Sequence, residues 1–312
     1  MKIQKPAKLL SGDLIGLITP ASPVADETKI EKATAYLEKL GYKVAVGKNV
    51  GKKWGYLAGT DAERLEDLHS MFKNKEVKAV ICLRGGYGTP RITDKIDFKL
   101  VAKNPKIFVG YSDNTAIQMA IMRKTGLVTF AGPMAAVDLC GEVNRFAEEF
   151  FWRVLTSNKK IGKLILPENA QLKTITKGKM KGRIVGGNLA LITAMMGSGL
   201  LPKFEENILM LEDVGEPPYR IDRMLNQLRV ADVFNKVEGV LLGQFTDREP
   251  KDDDPTLTFE EVIEHYFAGL KIPVVSEFPH GHIKEKITVP FGIEVKINAD
   301  KNSVEYLEPA VD

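Results

Sequence analysis

Through the first 155 residues, short apolar runs that close on turn residues alternate with amphipathic stretches. DLIGLITPAS (13–22) is a run of the first kind. In DETKIEKATAYLEKLG (26–41), Ile30, Ala33, Tyr36, Leu37 and Leu40 recur at helical spacing and Gly41 supplies a stop. YKVAVG (42–47) reads as a second strand. TDAERLEDLHSMFKN (60–74) opens with Thr60 and Glu63 at capping-box spacing before another amphipathic run. VKAVICLRGG (77–86) and KIFVGYS (106–112) are the third and fourth strands, and 146–155 is a further helix. Such alternation predicts an α/β, Rossmann- or flavodoxin-like parallel sheet covered on both faces. Its crossovers are right-handed and its ligands gather at the carboxyl ends of the strands.

From about Lys159 the rhythm changes. Isolated strand patterns dominate: GKLILPE (162–168), LKTITKG (172–178), KMKGRIVGG (179–187), ENILMLED (206–213), VEGVLLGQF (237–245) and KITVPFGIEVKINA (286–299). Helical patterns remain at 189–196, 218–231 and 258–267. The expected organisation is an N-terminal α/β domain over 1–155, a linker over 156–169 and a β-rich α/β domain of swivelling β/β/α type over 170–312. The acidic run Asp252–Asp254 lies between Pro250 and Pro255 and reads as a surface loop, not a cation site.

Composition narrows the function classes. The chain has 312 residues, 44% of them hydrophobic and 27% charged, the balance of an ordinary globular protein. A net charge of +3 makes no electrostatic case for a nucleic-acid partner. The basic segment KTITKGKMKGR (173–183) has no interleaved aromatics and reads as a solvated loop or hairpin. Cys82 and Cys140 are far apart, in apolar surroundings and outside any metal-ligand spacing, which suits a reducing cytoplasm. MKIQKPAKLLSGD (1–13) has no signal-peptide core, and no segment approaches the roughly 20 apolar residues of a membrane span, so no membrane partner is expected.

The turn after the first strand reads TPASPV (19–24), without the glycines of a dinucleotide fingerprint, and no Walker A pattern occurs. No cofactor is therefore expected. The glycines lie instead in LRGGYGTPR (83–91), where Gly85, Gly86 and Gly88 either make a tight turn or point N–H groups into a strand-end crevice. Ser112 stands where IFVG turns into the next helix. It either caps that helix or is displayed as a nucleophile, although Asn114 stands where a G-x-S-x-G elbow has its second glycine. A nucleophilic serine needs a base and a group to orient that base. Among four histidines, His69 and His265 fall in amphipathic helices, while His280 and His282 lie in FPHGHIKEKITVPFG (278–292), an irregular loop suited to presenting an imidazole. His280 and His282 with Glu277 or Glu285 form the alternative, a metal pair, which lacks a third histidine or an HExxH helix. Glu212, Asp213 and Glu216 follow the apolar ILML, and Glu212 is the first polar residue there, either an orienting carboxylate or a strand-end charge. A non-catalytic peptide-binding module remains the third reading.

Taken in order, SGDLIGLITPASP, GYLAGTDAERLEDL, LRGGYG, VGYSD, GGNLALITAMMGSG, LEDVGEPPYRIDRML and GHIKEKITVPFG cover nearly the whole chain. Together they resemble the LD-carboxypeptidases, serine peptidases with a Ser-Glu-His triad that trim murein peptides. The resemblance implies Ser112 as nucleophile, Glu212 as acid and His282, the histidine of the GH dipeptide, as base. It implies an oxyanion hole from the backbone N–H of Gly86 (or Gly85) and of Asp113. Its substrate is a murein tetrapeptide cut before the C-terminal D-alanine, and it suggests a homodimer. For the substrate carboxylate Arg84 has the charge and planar donors, with Arg91 and Asn188 as rivals. A branch of the family confers immunity to peptide-nucleotide microcins. Its glycine loop carries asparagine and serine where this chain has YGTPR, so the resemblance favours the murein peptide.

Overall fold

The computed structural model describes residues 2–249 and 255–312 and contains two sheets. The acidic run at 252–254 lies outside the described residues. In the N-terminal half, β1 (Leu14–Ile18), β2 (Lys43–Val46), β3 (Val77–Cys82), β4 (Ile107–Gly110) and β5 (Thr129–Ala131) run parallel in the order β5-β4-β3-β1-β2. That is the flavodoxin strand order. All four residues of β4 are buried, as are five of six in β3, as a sheet covered on both faces requires.

The helices form where the pattern placed them. Thr28–Lys39 buries Ala33 and Leu37, and in Asp61–Lys73 the Thr60 hydroxyl and the Glu63 carboxylate cap each other's backbone N–H groups. β5 has no counterpart in the sequence reading, being only three residues long and lacking an alternating pattern.

The second sheet holds β6 (Gly162–Lys163), β7 (Lys173–Thr176), β8 (Lys179–Asn188), β9 (Asn207–Val214), β10 (Gly239–Thr246) and β11 (Val274–Ser276). Its centre, β8-β9-β10-β11, is parallel. The basic segment 173–183 runs as β7 and the start of β8, which do not pair with each other; β7 pairs antiparallel with β11. At the start of β10, Gly239 leaves room for the Met180 side chain of β8: a side chain there would strike Met180 and the Pro273 carbonyl.

The run 286–299, which reads as one strand, is two. β12 (Val289–Phe291) joins the first sheet as its sixth strand, antiparallel to β5, and β13 (Glu294–Asn298) pairs with β8 and with β14 (Ser303–Tyr306) in the second. Gly292, at φ +92°, makes the break in a conformation that favours glycine. Through β12 the segment following the histidine loop is built into the sheet that carries Ser112.

Candidate active site

β3 and β4 are neighbours, so the glycine loop after one and the Ser112 turn after the other share the carboxyl edge of the sheet. Ser112 has φ +61°, left-handed backbone that a residue with a Cβ rarely takes. An N-cap sits in the extended region and accepts a helix N–H. Ser112 does neither: no cap bond is made at the start of the short Ser112–Asn114 3-10 turn or of the helix Thr115–Thr125 that continues it. The strain is held by its surroundings. Gly110 lets the turn fold back, since a side chain there would lie 2.8 Å from Asn114 Cβ. Asn114, in place of the elbow's second glycine, donates through Nδ2 to the carbonyls of Tyr111 and Arg84, both at 3.3 Å.

The glycine loop is clamped onto this turn. The buried Asp113 carboxylate accepts from the N–H groups of Gly88 (3.3 Å) and Thr89 (2.8 Å), and the Thr89 hydroxyl donates to the Asp113 carbonyl. Burial raises the Asp113 pKa despite these donors. From below, buried Arg64 donates to the carbonyls of Pro20 (2.6 Å) and Gly88 (2.9 Å). The Tyr87 N–H donates to Ser22 Oγ at 3.1 Å. Gly85 faces Ser112 so closely that a side chain would lie 3.1 Å from Oγ, whereas one on Gly86 would strike Ser22. Nothing in local pattern marks the clamping role of the Asp113 side chain beyond an acid directly after the serine and two residues before a buried helix.

Glu212 and His282 come together from the other half. Asn188 on β8 is in register with Glu212 on β9. Glu212 is 1% exposed, and His282 Nδ1 donates to its Oε2 at 2.9 Å. Gly243 makes room: a side chain there would lie 3.1 Å from Glu212 Cβ and 2.6 Å from the His280 carbonyl. With Nδ1–H engaged by a carboxylate, Nε2 is left as the proton acceptor. The His282 ring lies edge-on to Tyr111, with centroids 5.1 Å apart, one residue before Ser112. The Ser112 hydroxyl makes no direct hydrogen bond to His282 among the described residues; such contacts often close only when substrate binds.

The other histidines have different work. His280 is buried, its Nδ1 2.7 Å from the Ile287 carbonyl, and burial pushes its pKa down to about 4. His69 Nε2 accepts from the Asp97 N–H at 3.0 Å, and His265 packs edge-on to Tyr266. No three His, Cys, Asp or Glu residues group as metal ligands among the described residues.

Of the residues considered for the substrate carboxylate, Arg84 donates Nε to the Gly85 carbonyl and Nη1 to that of Pro23, leaving Nη2 toward Gly86. Arg91 is spent on Asp61 and lies 5.5 Å over Trp54. The structure gives Asn188 a scaffolding task. It is buried, its Oδ1 caps the helix Leu189–Ala194, its Nδ2 donates to Asp213 Oδ1 at 2.9 Å, and its N–H donates to Thr115 Oγ1 at 3.2 Å. That last bond ties the second sheet to the nucleophile's helix. Burial and the neighbouring Glu212 charge push Asp213 up to about 7, against three N–H donors. Aromatics on and near the glycine loop are exposed: Tyr87 packs edge-on to Tyr56 at 5.3 Å, and Trp54 lies under the Arg91 guanidinium.

A strained serine beside a glycine loop, with a carboxylate-bound imidazole against the tyrosine that precedes it, is the equipment of a hydrolase. The comparisons agree. Residues 15–132 match the model of the LD-carboxypeptidase N-terminal domain and residues 181–297 that of the C-terminal domain. The chain belongs to the LD-carboxypeptidase family. The probable murein peptide carboxypeptidase of Bacillus subtilis is 40% identical over 96% of this chain and 93% of its own. The muramoyltetrapeptide carboxypeptidase of Oxalobacter formigenes superposes with a TM-score of 0.82 at 32% identity, covering 94% of this chain and 97% of that one. The microcin C7 self-immunity protein MccF, in its wild-type apo state, superposes with a TM-score of 0.92 at 27% identity, covering 99% of this chain and 100% of that one. This chain is thus a member of a peptidase family and has the mixed α/β, two-sheet fold of its relatives. No helix among its described residues is long and apolar enough to cross a membrane.

Proposed function

We propose that this member of the LD-carboxypeptidase family is a serine enzyme that hydrolyses the amide before the C-terminal D-alanine of murein tetrapeptides through an acyl-enzyme. The observation that carries the reading is the Glu212–His282 hydrogen bond set beside a left-handed Ser112 that caps nothing. In the reaction His282 Nε2 takes the Ser112 proton as Oγ attacks the carbonyl carbon. Glu212 holds the tautomer and stabilises the imidazolium. The oxyanion develops against the N–H groups of Asp113 and of Gly86 (or Gly85), each donor contributing about 2.7–4 kcal/mol. The C–N bond breaks as His282 passes its proton to the D-alanine amine. Water, deprotonated by His282, then attacks the ester carbon, and His282 returns that proton to Oγ as the C–O bond breaks and Ser112 is freed. Arg84 receives the substrate carboxylate through Nη2, the edge that its backbone bonds leave open. Tyr87, Tyr56 and Trp54 form a rim for the rest of the peptide.

The likeness to MccF supports a second reading, cleavage of peptide-nucleotide amides by the same triad. Both readings carry the family's expectation of a cytoplasmic homodimer, which light scattering and cell fractionation test. For the reaction, the protein is incubated with a murein tetrapeptide, with and without EDTA, and free D-alanine is measured beside Ser112→Ala. Release that ignores EDTA and vanishes in the variant supports the serine carboxypeptidase. Release by the variant removes Ser112 as nucleophile, and an inert but folded wild type directs the same assay to peptide-nucleotide amides.

A further inference from the structure

Four residues beyond His282, the Lys286 side chain is 2% exposed. Taking such a charge out of water costs several kcal/mol and is sustained only by well-placed partners. Both side-chain partners of Lys286 come from the N-terminal half of the chain: Nζ donates to Tyr111 Oη at 2.8 Å and to Asp138 Oδ1 at 2.7 Å. Nζ also lies 4.1 Å from the centroid of the Tyr111 ring. Asp138 is itself fixed, its Oδ2 accepting from the Met134 N–H at 2.9 Å.

Tyr111 has two neighbours that matter. It immediately precedes Ser112, and the edge of its ring meets His282. Burial, with the negative charges of Asp138 and Glu212, keeps its phenol protonated. The loop that carries His282 is closed at its neck. The Ile287 N–H donates to the Pro279 carbonyl at 2.7 Å, and the His280 ring bonds the Ile287 carbonyl. A closed loop moves as a unit, so whatever fixes Lys286 also fixes His282. The sole direct bond from the His282 ring among the described residues runs to Glu212, within its own half. Its placement relative to Ser112 therefore depends on contacts between the halves.

We propose that Lys286, paired with Asp138, is a positioning residue for the His282 base. It locks Tyr111 against the imidazole and sets the histidine loop in register with the Ser112 turn. The proposal rests on the reading of Ser112 and His282 given above. A neutral side chain of similar length would fill the space without holding the phenol, and the base would stand off its mark.

The test is Lys286→Met in the full chain, followed by two readouts. With the substrate that wild type cleaves, kcat should fall about 10- to 100-fold, the scale of a misplaced reacting group, while KM changes little, because Lys286 does not touch substrate. Tyr111→Phe, which keeps the ring and loses the hydroxyl, should lower kcat in the same direction. The double variant should lose no more than Lys286→Met alone, since both act through one contact. The second readout needs no substrate: the NMR resonance of the His282 Nδ1–H, assigned by its absence in His282→Ala, should shift or broaden in Lys286→Met. An inert wild type would count against the substrate reading and leave this readout standing. A folded Lys286→Met with unchanged kcat and an unmoved resonance overturns the proposal, as does a loss that lies wholly in KM. If that variant does not fold, Tyr111→Phe and Asp138→Asn carry the same two measurements, and wild-type behaviour in both overturns it.

Discussion

A methyl group on Gly85 would lie 2.9 Å from Ser112 Cβ, 3.1 Å from its Oγ and 3.4 Å from the Asp113 nitrogen. Non-bonded carbons rest about 3.5–4.0 Å apart, so Gly85→Ala forces the loop or the serine to give by roughly 0.6–1 Å. The backbone at Gly85 is not left-handed, so alanine brings no dihedral strain there. Gly86, at φ +117° and with Ser22 Oγ 2.5 Å from a side chain, would suffer both penalties. Overpacking of this size costs about 1–3 kcal/mol of stability. Displacing a reacting atom by about 1 Å costs on the order of 100-fold in rate, or roughly 2.7 kcal/mol of barrier. The assay is the initial rate on the substrate that wild type cleaves, which the proposed function makes D-alanine release from a murein tetrapeptide, with thermal unfolding of the same preparation. The expected variant unfolds cooperatively, somewhat earlier than wild type, with kcat down about 100-fold. A folded Gly85→Ala that works at the wild-type rate would refute the reasoning, because the glycine loop could not then face the reacting atoms.

Two further outcomes follow from the same region. Ser112→Gly relieves a left-handed residue, a gain of about 1–2 kcal/mol, against about 0.5–1 kcal/mol for the added freedom of the unfolded chain. Urea unfolding should show an inactive variant as stable as wild type or slightly more so, and a marked loss would mean that the φ of +61° carries no strain. His280 has a folded pKa of about 4 against an ordinary value of 6.5, so the fold favours the neutral ring. Its contribution is full above pH 6.5 and disappears as pH falls through 4, at most about 3 kcal/mol. Denaturant titrations from pH 7.5 to 4 should show this loss in wild type and not in His280→Gln; parallel curves would contradict the assignment.

Much of this architecture is legible in local pattern. β1 to β4, the Thr60–Glu63 capping box and the amphipathic helices follow from periodicities that each segment carries alone. The corner at Ser112 is legible too, but not its meaning, since a cap and a displayed nucleophile share one sequence signature. Only the positive φ and the missing cap bond separate them. Local pattern fails where partners are distant. β5 is a strand because β4 and β12 flank it, and 286–299 splits at Gly292 because its two ends are claimed by different sheets.

By its own spacing and composition the sequence determined an α/β chain with a strand-to-helix serine, a glycine loop beside it and an irregular histidine loop. The family resemblance selected Glu212 and His282 from their rivals. Tertiary structure decided which of these groups meet. Glu212 and His282 are 70 residues apart and bond only because the end of β9 and the closed histidine loop arrive at one point. It also gave Asn188 to the scaffold, Asp113 to the loop clamp and Lys286 to the seam between the halves. A polar side chain's task depends on which donors and acceptors surround it once water is excluded, and that environment exists only when the chain has folded.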